Sequence, residues 1–289
     1  MRRIRALAAL VLVSLLCPGW ARAEAEQEEK SARDVVEAYG RFVEVRIARP
    51  IDFELLTEIY ELDLTDYVRE TDGRYGTDLD PIIRDALQKG REGAEVHSHA
   101  QIAEKSIQRA FILTFTRSLK QLQEGVEHRK SLPRLLEAAP VLRSTVGRRS
   151  RWVGKGAAYT DLFDAAMEQL RQAAEGKNRE SLAEADAQLG SLVSKVLVLS
   201  VFYEIDGLEK SRGKDADKAG EKREEARIYH LSLMTEHRSR DEEGAATVSE
   251  QLADSIDQID IDLVRELLMN EFQGEIADVD PSLLGLARR

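Results

Sequence analysis

The sequence predicts an all-α protein, a multi-helix bundle, on three observations. Apolar side chains recur at a spacing near 3.6 residues along most of the chain, strand-type alternation is sustained nowhere, and no proline lies between residues 141 and 280. Composition narrows the class further. Of 289 residues, 43% are hydrophobic and 33% charged, with one cysteine, which excludes a disulfide-stapled or disordered chain. A net charge of -11 excludes nucleic acid as the main partner, since phosphate binding needs clustered Lys and Arg.

Taken in order, the first element is a cleaved signal peptide, residues 1–23. Arg2, Arg3 and Arg5 precede an apolar run from Ala6 to Leu16, shorter than the ~20 residues that span a bilayer, and Ala21-Arg22-Ala23 supplies the cleavage pattern. Leu16 stands where a lipidation site at Cys17 would need a small residue. Residues 24–289 then form a single all-helical domain, periplasmic or secreted. Four basic residues leave with the leader, so 38 basic face 53 acidic side chains, a net charge of -15, and no cysteine remains.

After Asp52, a stripe of Phe53, Leu56, Tyr60, Leu64, Tyr67 and Val68 reads as one amphipathic helix. Asp80-Pro81 before Ile82-Ile83 gives the order N-cap, first turn, apolar face, and the pattern stops at Gly90. From Val96 the apolar or small positions 100, 103, 107, 111, 114, 118 and 122 define a long helix. The basic segment 143–155, with Arg148, Arg149 and Arg151 beside Trp152, reads as a charged connection whose Trp anchors the next helix. That helix carries Tyr159, Leu162, Phe163, Ala166, Leu170 and Ala173 and ends at Gly176. Leu192 to Ile205 is apolar on nearly all sides, interrupted by Lys195, two serines and Glu204, and is the expected central helix. Arg212 to Glu225 is a charged loop entering a helix that turns apolar at Ile228, Leu231 and Met234. A last stripe from Val248 through Leu252, Ile256, Ile259, Leu263 and Leu267 to Phe272 reads as one long helix.

Three blocks recur in the same order. Ile102-Ala103-x-Lys105-x-Ile107 matches Leu192-Val193-x-Lys195-x-Leu197, Tyr159 matches Tyr229, and Gln188-Leu189 matches Gln251-Leu252. The pattern suggests a duplicated helix triplet within one continuous domain.

Catalytic signatures are absent: no G-x-S-x-G, no phosphate-binding or dinucleotide glycine loop, no H-E-x-x-H, and no Glu three residues before any of the five histidines. The histidines nevertheless cluster. His97 and His99 open the long helix beside Glu95, with His97, Gln101, Glu104 and Gln108 on one stripe, and His230 and His237 share a face of a later helix. Imidazole and carboxylate together suit iron, zinc or manganese, so His97, His99, Glu104, His230 and His237 are the expected metal ligands. Acidic runs at Glu54, Glu58 and Glu61 and at Asp254, Asp257, Asp260 and Asp262 read as solvated faces that would concentrate cations.

Tyr67-Val68, Tyr75-Gly76-Thr77-Asp78-Leu79-Asp80 and Lys105-Ser106-Ile107-Gln108-Arg109-Ala110-Phe111 resemble the helical, extracytoplasmic iron-assimilation proteins known from algae and bacteria. The chain also looks like imelysin-type periplasmic proteins, although their G-x-H-x-x-E signature is missing. What the first resemblance implies is an exported helical protein that binds iron for uptake. The expectation is therefore a non-enzymatic periplasmic iron- or metal-binding protein, with a membrane transporter or envelope protein as its partner. A helical adaptor is the alternative, its docking segment 143–155, and a helical di-metal oxidase the third reading.

Overall fold

The computed structural model describes residues 34–286 apart from 94, 126, 127 and 177, so the signal-peptide expectation for 1–23 lies outside the described residues. Helices account for 85% of the structure, and no strand occurs among the described residues. In chain order they are α1 (34–47), α2 (Phe53–Ile59), a π-helical turn (Tyr60–Leu64), α3 (Thr65–Tyr75), α4 (Leu79–Arg91), α5 (Val96–Gln123), α6 (His128–Trp152), α7 (Ala158–Gly176), α8 (Arg179–Ser211), α9 (Ala216–Arg240), α10 (Glu242–Ala253) and α11 (Ile261–Phe272). Two 3-10 turns, Ile256–Gln258 and Pro281–Leu284, complete the C-terminal region. One buried apolar cluster runs from Ala38 to Leu284.

The centre is α8, packed against α7 and α9, with α5 packed against α4, α6 and α9. By length and composition α8 is apolar enough to cross a membrane, yet 67% of its apolar stretch is buried inside the bundle. Helix α9 lies alongside α5 in the same direction. Ser98 faces Asp217, Gln108 faces Tyr229 and Arg117 faces Thr235, so the register advances together on both helices.

Local chemistry explains the boundaries. Asp52, Asn178, Asp215, Asp241 and Asp260 each accept a backbone N–H two or three residues into the following helix, as N-caps do. Helix α4 is capped from further away: Asp72 accepts from the amides of Leu79 and Asp80, both at 2.8 Å, and from the Thr77 hydroxyl. Gly76 ends α3 in the left-handed conformation at φ 66°. Gly90 is needed for a different reason, because the Phe53 ring lies 1.9 Å from where a Cβ would stand.

Several sequence expectations change. The stripe 53–68 is not one regular helix. Leu56, Tyr60, Leu64 and Val68 repeat every four residues and are all fully buried. In an α-helix such a repeat drifts by ~40° per step, and the wider π turn at Tyr60–Leu64 takes up the drift. Residues 143–152 are not a connection, and only 153–155 lie in the turn before α7: α6 continues to Trp152 through Pro133 and Pro140, and Trp152 packs edge-on against Tyr203 of α8. The Val248–Phe272 stripe breaks at Asp254, whose backbone is extended, and restarts when Asp260 caps α11. The helix expected after a loop through Glu225 already begins at Ala216.

The triplet duplication does not hold as aligned, because α6 intervenes before Tyr159 and both Gln188 and Leu192 lie on α8. The matched residues nonetheless pair crosswise. The Lys105 ammonium lies 5.7 Å from the Tyr229 ring centre, and Lys195 lies 4.9 Å from that of Tyr159.

Candidate functional site

The five expected metal ligands occupy three separate places. His97 and His99 are half-buried at the start of α5, level with Asp217 of α9, and His99 Nδ1 has no partner among the described residues. His230 follows Tyr229, which is level with Gln108, so it lies about ten residues along the bundle from His99, or roughly 15 Å. His237 lies two turns further. Its Nδ1 is 3.0 Å from His230 Nε2, its ring packs edge-on against Phe272, and its Nε2 is buried without a partner among the described residues. Burial, reinforced by the neighbouring imidazole, pushes His230 down to about 3, and burial lowers His237 as well. Among the described residues no three His, Cys, Asp or Glu side chains are grouped to hold a metal.

Glu104 is committed elsewhere. Its Oε1 accepts from Lys105 Nζ at 2.8 Å and from the Tyr39 hydroxyl, and its Oε2 faces Arg46 at 2.6 Å. From there a chain of buried charges alternates in sign across five helices: Arg46, Glu104, Lys105, Glu225, Lys222, Glu204, Arg149. Arg149 also donates to Ser200 Oγ, and Gln101 donates to Glu225. Burial would raise Glu225, but Lys105 and Lys222 hold it well below the usual carboxylate range. Glu204 is pushed up to about 7, first by burial and then by the Glu225 charge. Each charge is answered by another, so the chain acts as a structural latch that fixes helix register.

The same latch removes the basic patch expected at 143–155. Arg149 points inward to Glu204, Arg148 is half-buried beside Thr145, and Arg143 is held at 2.7 Å by Asp164.

A cleft lies between α3, α5 and α6. Its mouth is a cavity of about 420 Å³ lined by Arg74, Tyr75, Arg117, Lys120, Gln121 and Glu124, with Glu124 pairing with Lys120 at 3.8 Å. Behind it lies a hollow of about 20 Å³, room for one water or one ligand oxygen, lined by Tyr67, Glu70, Tyr75, Thr114, Arg134 and Glu137. Arg74 and Arg134 both pair with Glu70. Among the described residues, Arg117 meets only the Thr235 hydroxyl, at 3.4 Å, and no carboxylate.

The hollow gathers polar groups that the fold leaves unpaired. Among the described residues, the Tyr67 and Tyr75 hydroxyls and Arg134 Nη1 are buried without a well-aligned hydrogen bond, as is Ser118 Oγ nearby on α5. The Thr114 hydroxyl approaches the Tyr67 oxygen and the Ser118 hydroxyl the Tyr75 oxygen in poorly aligned contacts that act to lower each phenol, so what is left without an acceptor is each phenol's own proton. Burial raises both phenols, which keeps them protonated. Glu137 is pushed up to about 7, mainly by burial and further by Glu70. At neutral pH the hollow therefore presents the two phenols and Arg134 as donors, beside a Glu70 carboxylate already held by Arg74 and Arg134 and a Glu137 near the midpoint of its titration. Sequence reasoning missed this site because its cations sit on helix faces that read as ordinary solvated surface, although Tyr67 and Tyr75 were visible.

Compared with protein-family models, curated proteins and solved structures, the chain matches none.

Proposed function

We propose that the protein is an exported, non-catalytic binding protein whose ligand is a small oxyanion taken into the cleft between α3, α5 and α6. The observation that supports this is the set of unpaired donors, Tyr67, Tyr75 and Arg134 Nη1, around a hollow behind the cationic mouth. Buried donors left unpaired cost free energy that a ligand oxygen recovers. Arg117 supplies charge that no carboxylate of the described residues pairs with. On a chain of net charge -11, such a cleft is a local inversion of sign that draws anions to one place.

An anionic iron chelate belongs to this ligand class. The metal-uptake reading thereby stands as a proposal in altered form: iron arrives in its own oxygen shell, and His97, His99, Glu104, His230 and His237 need not converge. The test is calorimetric titration of the purified chain with sulfate, phosphate, citrate and ferric citrate, beside Arg117→Ala and Arg134→Ala. Binding that is weakened at least tenfold in both variants is expected. Equal affinity in wild type and variants removes the cleft from consideration, and equal affinity for citrate and ferric citrate removes iron.

A second reading, a helical adaptor, draws on Leu62 and Leu55, which are 73% and 39% exposed among Glu54, Glu58 and Glu61. It predicts a co-purifying partner lost in Leu55→Ser/Leu62→Ser.

A further inference from the structure

Resting on the anion reading above, we propose that Glu137 couples ligand binding to a proton: the ligand oxygen enters the inner hollow with one proton held on Glu137, and leaves when that proton leaves. The balance is simple. Free anion, one solvent proton and the Glu137 carboxylate become a complex in which the Glu137 carboxyl donates to the ligand oxygen, and no covalent bond other than O–H changes.

The geometry carries this. Glu137 projects from α6 into a hollow closed by α3 and α5. Facing it from α3 are Tyr67, Glu70, Arg74 and Tyr75; from α5, the hydroxyls of Thr114 and Ser118, with Arg117, Lys120 and Glu124 at the mouth; and from its own helix, Arg134. The two cations nearest the hollow, Arg74 and Arg134, are both engaged by Glu70. No hydrogen bond or ion pair of the described residues is made by Glu137, and the charge that acts on it is the like charge of Glu70.

An ionised Glu137 would therefore set a second anionic oxygen against the ligand in a hollow of about 20 Å³. Two such oxygens cannot both stay ionised at hydrogen-bond distance. A protonated Glu137 instead completes a ring of donors with Tyr67, Tyr75 and Arg134. Burial has already brought this carboxyl to about 7, so the proton is exchanged near neutrality.

Sulfate is the probe, because it keeps one charge state from about pH 6 to about pH 8.5, where phosphate does not. Calorimetry in two buffers of different ionisation enthalpy should give close to one proton taken up per sulfate bound at about pH 8, and close to none at about pH 6. Affinity should fall by up to about tenfold per pH unit above neutrality. In Glu137→Gln, whose amide keeps a donor in place, the affinity should be level across this range and proton uptake should vanish. In Arg117→Ala, binding should weaken at every pH while the pH slope remains.

A level affinity in the wild type, or a slope that survives in Glu137→Gln, overturns the coupling and leaves the anion site standing. Failure of sulfate, phosphate and citrate alike to bind the wild type at about pH 6 overturns the anion reading, and the coupling with it.

Discussion

Acidification should loosen the bundle at the paired imidazoles of α9, and the size of the effect follows from their burial. His230 is 1% exposed and held at about 3, against 6.5 for an ordinary histidine. The unfolded chain takes up a proton on this imidazole below about pH 6.5, whereas the folded chain does so only near pH 3. The stabilising contribution is therefore fully present above about pH 6.5 and is lost as pH falls towards 3. At pH 5 the loss is about 2 kcal/mol for His230, since ~1.4 kcal/mol accompanies each pH unit once the unfolded group is mostly charged. Glu204, Glu137 and Asp186 are shifted upward and act with opposite sign over part of this window. The diagnostic quantity is thus the difference between wild type and His230→Gln in urea unfolding at about pH 7.5 and about pH 5. That difference should shrink by about 2 kcal/mol on acidification. Parallel stability curves for the two proteins would refute the idea that His230 is held neutral by burial.

Three further outcomes can be checked by the same denaturation assay. Lys105→Met leaves Glu104 and Glu225 buried without the cation between them and should cost about 3–5 kcal/mol, whereas Lys195→Met, which loses a partly exposed pair with Asp278, should cost under ~1 kcal/mol. Equal costs would show that the latch is not what holds α5 to α9. Gly90→Ala drives a methyl into the Phe53 ring and should cost about 1–3 kcal/mol; no measurable change would mean that α2 shifts freely against α4. Asp72→Ala removes three hydrogen bonds at the start of α4 and should cost about 1–2 kcal/mol, and an unchanged midpoint would show that the Thr77–Asp80 turn caps α4 without it.

The helices were legible because hydrophobic periodicity is a local property, and the central position of Leu192–Ile205 followed from its lack of a polar face. Glu204, interrupting that apolar run, was the visible sign of the buried charge chain. Its partners were not visible, since nothing in sequence states that Arg149, Lys222 and Glu225 converge on it from two other helices. The histidine grouping erred for the same reason: shared faces on two helices do not fix their relative register, and the parallel packing of α5 and α9 keeps His97 and His99 far from His230 and His237. The Tyr75–Asp80 motif proved to be a capping turn built around Asp72, with Asp80 binding Tyr60, Arg69 and Arg84. The unpaired phenols of the cleft could not be read from sequence, because an absent hydrogen bond is a fact of geometry alone.

The latch also dictates an order of events in the making of the protein. Gln101 and Gln108 find their partners 124 and 121 residues later, on α9. As the chain is synthesised, α1 to α7 emerge with Lys105 already present but with Glu225 still unmade. Bringing these groups together must wait for closure of a long loop, which slows folding. Lys105 and Gln101 thus stay without Glu225 until α9 arrives, and a chain truncated before residue 225 should be more protease-sensitive than the full chain.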